Sequence, residues 1–216
     1  MKLVKTKRTI SWNTYLMTLV ISITLFGAGI YVGMKFEEVA KNEMEGRLET
    51  IDERMITMQT LFILEDSPMF CEFFSKEMDK FDSETVSVGK KIQFMEEKQG
   101  IDPELKTQYM LLELRDYLLM KRIKERCNDN SIIVLYFVNS SGCNDCWAQS
   151  WILTDIRENV PIRLYTFDLG INGEITAALH KSYNIRTYPT IIINETTIFD
   201  GLTDREKLLD FLNLLK

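Results

Sequence analysis

Four cysteines carry the chemistry that this sequence can do, and two of them stand two residues apart in "SGCNDC", as Cys143 and Cys146. That spacing suits a dithiol that cycles to a disulfide, half of a zinc site, or a pair of inert thiols. A structural zinc takes about four ligands. The remaining soft ligands are Cys71, Cys127 and the single histidine, His180, and none has a paired spacing. His180 lies inside the helical pattern "AALHKSY" and reads as a solvated or half-buried helix residue. No metal and no cofactor is therefore implied, and the dithiol is the reading to carry forward.

Dithiol chemistry needs one sulfur that loses its proton easily, because the thiolate is the nucleophile. A helix N-terminus offers unpaired N–H groups and the positive end of the helix dipole. The elements around the pair supply such a place. "SIIVLYFV" (131–138) is a continuous apolar, β-branched run, the mark of a buried strand. The pair follows it at once and opens a helix that runs to about Asn159. Cys143 then takes the attacking role, and Cys146, one turn further in, resolves the mixed disulfide. Asp145 opposes the first of these, since a carboxylate beside the site raises a thiol pKa. The expected result is a milder oxidant than a site with a strongly depressed thiol.

Beyond the pair, "IRLYTFDL" reads as a second strand, "NGEITAALHKSY" as a helix, "PTIIIN" and "TTIFDG" as strands joined by a turn at "NET", and "TDREKLLDFLNLLK" as a closing helix capped by Thr203 or Asp204. The order is β-α-β-α-β-β-α. Pro189 opens the third strand, where it cannot donate to a ladder, and a cis-proline beside the cysteine pair accounts for it economically.

On these residues the segment 131–216 resembles the thioredoxin-like superfamily: a strand, Cys143-Asn144-Asp145-Cys146 opening a helix, Pro189 opening a later hairpin, and Gly201 before a terminal helix. The resemblance covers about two-fifths of the chain. It implies catalytic roles for Cys143, Cys146 and Pro189. It also implies a substrate groove at Tyr188, Gly142 and Trp147, with the Tyr188 backbone meeting the substrate as an added strand. Trp147 and Trp151, four apart, fit the core or the rim of the site. Three features depart from thioredoxins. Gly142 stands where they usually carry tryptophan, the inner pair is Asn-Asp, and the strand "LYFV" lacks their buried acid.

The middle of the chain, residues 35–127, reads as a small helical bundle or stalk. Met44, Leu48, Ile51, Met55, Met58 and Phe62 form a helical stripe close to a heptad seam. It suits either a helix packed on its own domain or a short dimeric coiled coil. "EDSPMF" starts a new helix, with Asp66 or Ser67 as cap and Pro68 in its first turn. "FDSETVSVG" suggests a break near Asp82 and Ser83, before a further helix to about Gln99. "GIDPEL" starts another, capped by Asp102, that runs to about Arg126. Cys71 and Cys127 lie at helix ends, and an oxidising compartment lets them pair. Two isolated buried thiols are the alternative, and exchange with the Cys143–Cys146 pair is a third.

Ahead of this region, residues 9–34 carry no charge and are long enough to cross a bilayer. Trp12, Tyr15 and Tyr31 sit where interfacial aromatics belong. Lys2, Lys5, Lys7 and Arg8 in residues 1–8 place the N-terminus in the cytoplasm by the positive-inside rule, and the rest outside it. A signal peptide cleaved near Gly27-Ala28-Gly29 is the competing reading, with the same sidedness. Gly29 and Gly33 form a GxxxG pair that suits a homodimer through the membrane helix. The net charge of −6 excludes a nucleic-acid footprint. The expected architecture is thus an α/β, thioredoxin-like C-terminal domain behind a membrane helix and a helical bundle. The expected function is a membrane-tethered, extracytoplasmic thiol–disulfide oxidoreductase. Its partners are protein thiols or disulfides and a membrane redox protein, with the direction of electron flow open. The alternative is a non-catalytic interaction module with a structural disulfide.

Overall fold

The structure, a computed structural model, describes residues 12–64, 69–100 and 102–215. The basic N-terminal residues, and the cap expected at Asp66 or Ser67 with Pro68, lie outside the described residues. The chain falls into two compact units, Met1–Glu45 and Gly46–Lys216.

Helix α1 (Trp12–Leu64) carries the first unit. By length and composition it is long and apolar enough to cross a membrane, and none of its apolar window is buried in the structure. Two of its threonine hydroxyls bond back to carbonyls of the same helix. Thr18 donates to Thr14 O and Tyr15 O, and Thr24 to Val20 O and Ile21 O, at 2.9–3.1 Å.

The second unit contains the end of α1, then α2 (Met69–Gln99), α3 (Pro103–Cys127), β1 (Ile132–Val138), α4 (Asn144–Asn159), β2 (Ile162–Asp168), α5 (Glu174–Tyr183), β3 (Thr190–Ile193), β4 (Thr197–Asp200) and α6 (Arg205–Asn213). In this unit Leu48, Ile51, Met55 and Phe62 of the α1 stripe are buried, and the Phe62 ring meets Phe74 of α2 edge-on.

The break expected at Asp82 and Ser83 does not occur: α2 is one uninterrupted helix. Its buried side chains are Phe74, Met78, Phe81, Thr85, Val88 and Ile92, stepping by four and three straight through the polar stretch. Ser83 stays helical by donating to Lys80 O at 2.7 Å. Gly89 inside the helix has a packing reason, since a Cβ there would run into the Tyr109 hydroxyl and ring from α3. Asp102 caps α3, accepting from Glu104 N and Leu105 N at 3.0 and 3.2 Å.

The sheet order is β2-β1-β3-β4, with β1 and β2 parallel and the other pairs antiparallel. The β3–β4 turn places Asn194 and Glu195 at φ 48° and 59°, as a tight hairpin requires. Alternation along β1 sends its side chains to two layers. Ile132, Val134 and Tyr136 meet Leu153 and Ile156 of α4 and Leu208 and Leu212 of α6. Phe137 turns the other way, against Phe167 of β2 and Tyr183 of α5, while Tyr117 of α3 packs on Phe167 and Tyr165. Each fully buried ring contributes roughly 2 kcal/mol, so both faces of β1 must be apolar, and its sequence shows no polar alternation.

Two carboxylates of α3 are buried against the edge strand β2. Glu113 accepts from Tyr109 Oη and from Thr166 N, both at 2.9 Å, and so covers an N–H on the open edge of the sheet. Burial pushes Glu113 up to about 7, and burial pushes Asp116 up to about 8 against the pull of Arg163. Arg157 and Asp82 also act on Glu113; they pair with each other at 2.6 Å, and Arg163 pairs with Asp79 at 2.5 Å. Acids whose folded pKa is raised hold protons that the unfolded chain has already released. Their stabilising effect is therefore full below about pH 4 and is lost as pH rises toward about 8. The expected result is a melting temperature that falls from pH 5 to pH 8, with a flatter slope in Asp116→Asn. Scanning calorimetry across that range checks it, and equal slopes for parent and variant would refute it.

Candidate active site

β1 ends at Val138, and the chain turns through Asn139–Gly142 into α4, with Cys143 as its N-cap. Gly142 sits at φ +95°, in the left-handed region where a side chain is strained. That backbone requirement explains a glycine immediately before the first cysteine. Cys143 is half-buried, and its Sγ accepts the Cys146 N–H at 3.1 Å. Cys146 is 6% exposed. The two form a disulfide with Cα atoms 5.3 Å apart. The reachable sulfur is thus the one that receives an N–H from the first turn of the helix, an arrangement that stabilises a thiolate once the bond is reduced.

The pair is held from below. Buried Tyr136 on β1 donates its hydroxyl to Cys146 O at 2.5 Å. Gln149 of α4 accepts from Thr203 N at 2.7 Å and ties the helix to the segment before α6. Asn139 Oδ1 accepts from Ser141 N, and Gly142 N donates to Ser140 O, both at 3.0 Å.

Register brings Pro189 to the same end of the sheet. Phe137 of β1 stands opposite Thr190 of β3, and Val138 opposite Asp168 of β2. Pro189, preceding Thr190, therefore flanks the loop that leads to Cys143. The Tyr188–Pro189 peptide bond is cis, and Pro189 O accepts from Gly201 N at 2.8 Å. Tyr188 is half-buried; burial, with the charge of Asp168, raises its hydroxyl pKa. Trp147 and Trp151 lie on the surface of α4, 47% and 65% exposed, and so are rim rather than core residues. His180 is exposed in the last turn of α5.

Asp168 is absent from the residues that the sequence singles out. It sits at the end of β2, and its Oδ1 accepts from Ser140 N at 3.1 Å and Gly170 N at 2.9 Å. Lys106 of α3 reaches its Oδ2 at 2.8 Å. "TFDLG" carries no motif for this role, and Lys106 looks like any helix lysine.

The second cysteine pair is also bonded: Cys71 to Cys127, Cα atoms 5.5 Å apart, joining the start of α2 to the end of α3. Cys127 precedes β1 and Cys143 follows it. The seven-residue strand β1 lies between them in the chain, so one bond ties α2 to α3 and the other opens α4.

No protein-family model matches the chain, and no curated protein matches it. Solved structures similar to it include a malarial protein, 26% identical over 39% of this chain and 96% of that one, with a TM-score of 0.35. The germline-specific thioredoxin Deadhead of Drosophila melanogaster is 24% identical over 48% of this chain and 94% of that one, TM-score 0.36. Fasciola hepatica thioredoxin is 20% identical over 45% and 91%, TM-score 0.37. With its β-α-β-α-β-β-α order, the bonded cysteine pair opening α4 and the cis-proline before β3, the C-terminal segment is thioredoxin-like in fold.

Proposed function

We propose that this chain is a membrane-tethered thiol–disulfide oxidoreductase that exchanges disulfides with protein substrates outside the cytoplasm. The observation that carries the reading is the asymmetry of the pair: Cys143 reachable at the N-cap of α4, Cys146 buried one turn inside, the two bonded. In the oxidising direction a substrate thiolate attacks Cys143 Sγ, the Cys143–Cys146 bond breaks, and Cys146 leaves as the thiolate. A second substrate thiol then displaces Cys143, and the substrate leaves oxidised by two electrons. The reverse sequence reduces a substrate disulfide. Pro189 and Tyr188 border the groove, with Gly142 and Trp147 on its rim.

The apolar stretch of α1 supports the tether. The basic residues before it and the Cys71–Cys127 bond support an extracytoplasmic second unit. An exchanger outside the cytoplasm turns over only if a membrane partner restores its redox state. Gly29 and Gly33 offer a face for pairing two copies in the membrane.

The test is the reduction potential of the Cys143–Cys146 couple, measured on the full chain in detergent against a glutathione series. Trp147 fluorescence follows the reaction, with Cys143→Ser as control. A potential of about −120 to −180 mV would assign oxidation or isomerisation, and one near −270 mV reduction. No reversible two-electron transition would leave an interaction module with a structural disulfide.

A further inference from the structure

The helical part of the second unit reaches into the site through one lysine. Lys106 is 17% exposed and lies between two acids, 3.0 Å from Glu96 Oε1 on α2 and 2.8 Å from Asp168 Oδ2 at the end of β2. Asp168 itself is 4% exposed. Its other oxygen holds Ser140 N, three residues before Cys143, and Gly170 N in the turn after β2. The two loops meet across it, for a Cβ on Gly170 would strike Asn139 Oδ1. A neutral Asp168 would give up an acceptor, and an ionised one without a cation would put a bare charge against the loop that leads to Cys143. Burial alone would raise the Asp168 pKa; the ammonium of Lys106 and the hydrogen bond from Ser140 outweigh it and hold the group below the usual carboxylate range.

We propose that Lys106 is a positioning residue for the dithiol: acting through Asp168, it fixes the loop that presents Cys143 and cancels the negative charge that would otherwise disfavour the Cys143 thiolate. The chemical consequence rests on the oxidoreductase reading, but the positioning does not. The sulfur chemistry is thus tuned by a side chain from outside the thioredoxin-like segment. In that segment β1 offers Leu135, Tyr136, Phe137 and Val138 near the pair, and no acid.

The experiment follows alkylation of Cys143 by iodoacetamide in the reduced full chain, peptide by peptide, from pH 5 to pH 10. Lys106→Met should move the profile upward by about half a unit or more, roughly a threefold slower reaction at pH 7. Lys106→Arg should restore it. Asp168→Asn keeps one acceptor oxygen and removes the charge, so it should move the profile downward. A purely structural role would shift both neutral variants the same way. Lys121→Met, which breaks the ion pair with Glu195 at the hairpin turn, is the control for losing any salt bridge. Superposed profiles for parent and Lys106→Met would overturn the proposal, as would shifts of one sign, or an equal shift in Lys121→Met. Should Lys106→Met not fold, the sign of Asp168→Asn decides alone. Alkylation needs only reduced thiols, so a parent protein that fails to cycle would sink the oxidoreductase reading and leave this test standing.

Discussion

Cys143→Ser should slow disulfide exchange by on the order of a thousandfold or more, whereas Cys146→Ser should still react once and then stop as a mixed disulfide. The two sulfurs are chemically alike and differ by one turn of helix. Cys143 is half-buried at the N-cap and receives the Cys146 N–H, so its thiolate is both stabilised and reachable. Cys146 lies buried with its carbonyl pinned by Tyr136, and no substrate of protein size reaches it first. Removing Cys143 therefore removes the reachable sulfur of the pair. Removing Cys146 leaves the attack and deletes the escape. Mixing each reduced variant with a disulfide-bonded peptide and following adducts by mass spectrometry checks this. Equal loss in both variants, with no adduct on Cys146→Ser, would sink the assignment.

The site was legible in the sequence because its signals are local. A buried parallel strand is a continuous apolar run, and a cysteine pair at its end can only open the next helix. The elements of residues 131–216 follow that reading within a residue or two, except that the closing helix ends at Asn213. The helical region was harder, because two local signals conflicted there. Asp82, Ser83, Thr85 and Gly89 look like punctuation, yet the apolar period from Phe74 to Ile92 never skips. Packing favoured the period: Thr85 is buried within it, and Gly89 makes room for Tyr109. Propensity is a weak prior against a stripe that buries six side chains. The charged residues of α3 were not legible at all. Nothing in "ELKTQYMLLELRDY" marks Glu113, Asp116 or Lys106; they lose solvent because α3 is covered by α2 on one side and by the sheet on another. Only tertiary placement shows that one caps a strand edge and another supports the loop before Cys143.

Replacing Cys71 and Cys127 together by serine should cost about 4 kcal/mol of stability in the chain-entropy account, for a loop whose ends are 56 residues apart. The Cys143–Cys146 bond closes a loop of a few residues and in the same account contributes about half as much. Opening the distal bond should also reach further, because it joins the ends of α2 and α3. The opposite end of that hairpin is held by Lys106 with Glu96, and its middle by Tyr109 against Gly89. With Cys71 and Cys127 gone, the first turn of α2 and the last turn of α3 lose their covalent tie. Close by, Arg126 donates to Phe62 O at 2.9 Å and lies over the Phe62 ring, and these non-covalent links remain to hold that end. α3 in turn covers the sheet through Tyr117 and Glu113, so fraying there exposes the edge of β2. Urea denaturation of the full chain in detergent, comparing parent, the Cys71→Ser/Cys127→Ser protein and the Cys143→Ser/Cys146→Ser protein, measures the difference. A loss well under 1 kcal/mol for the distal pair would mean that packing alone holds the hairpin closed. A loss larger for the proximal pair than for the distal one would reverse the division of labour, making Cys143–Cys146 the structural bond.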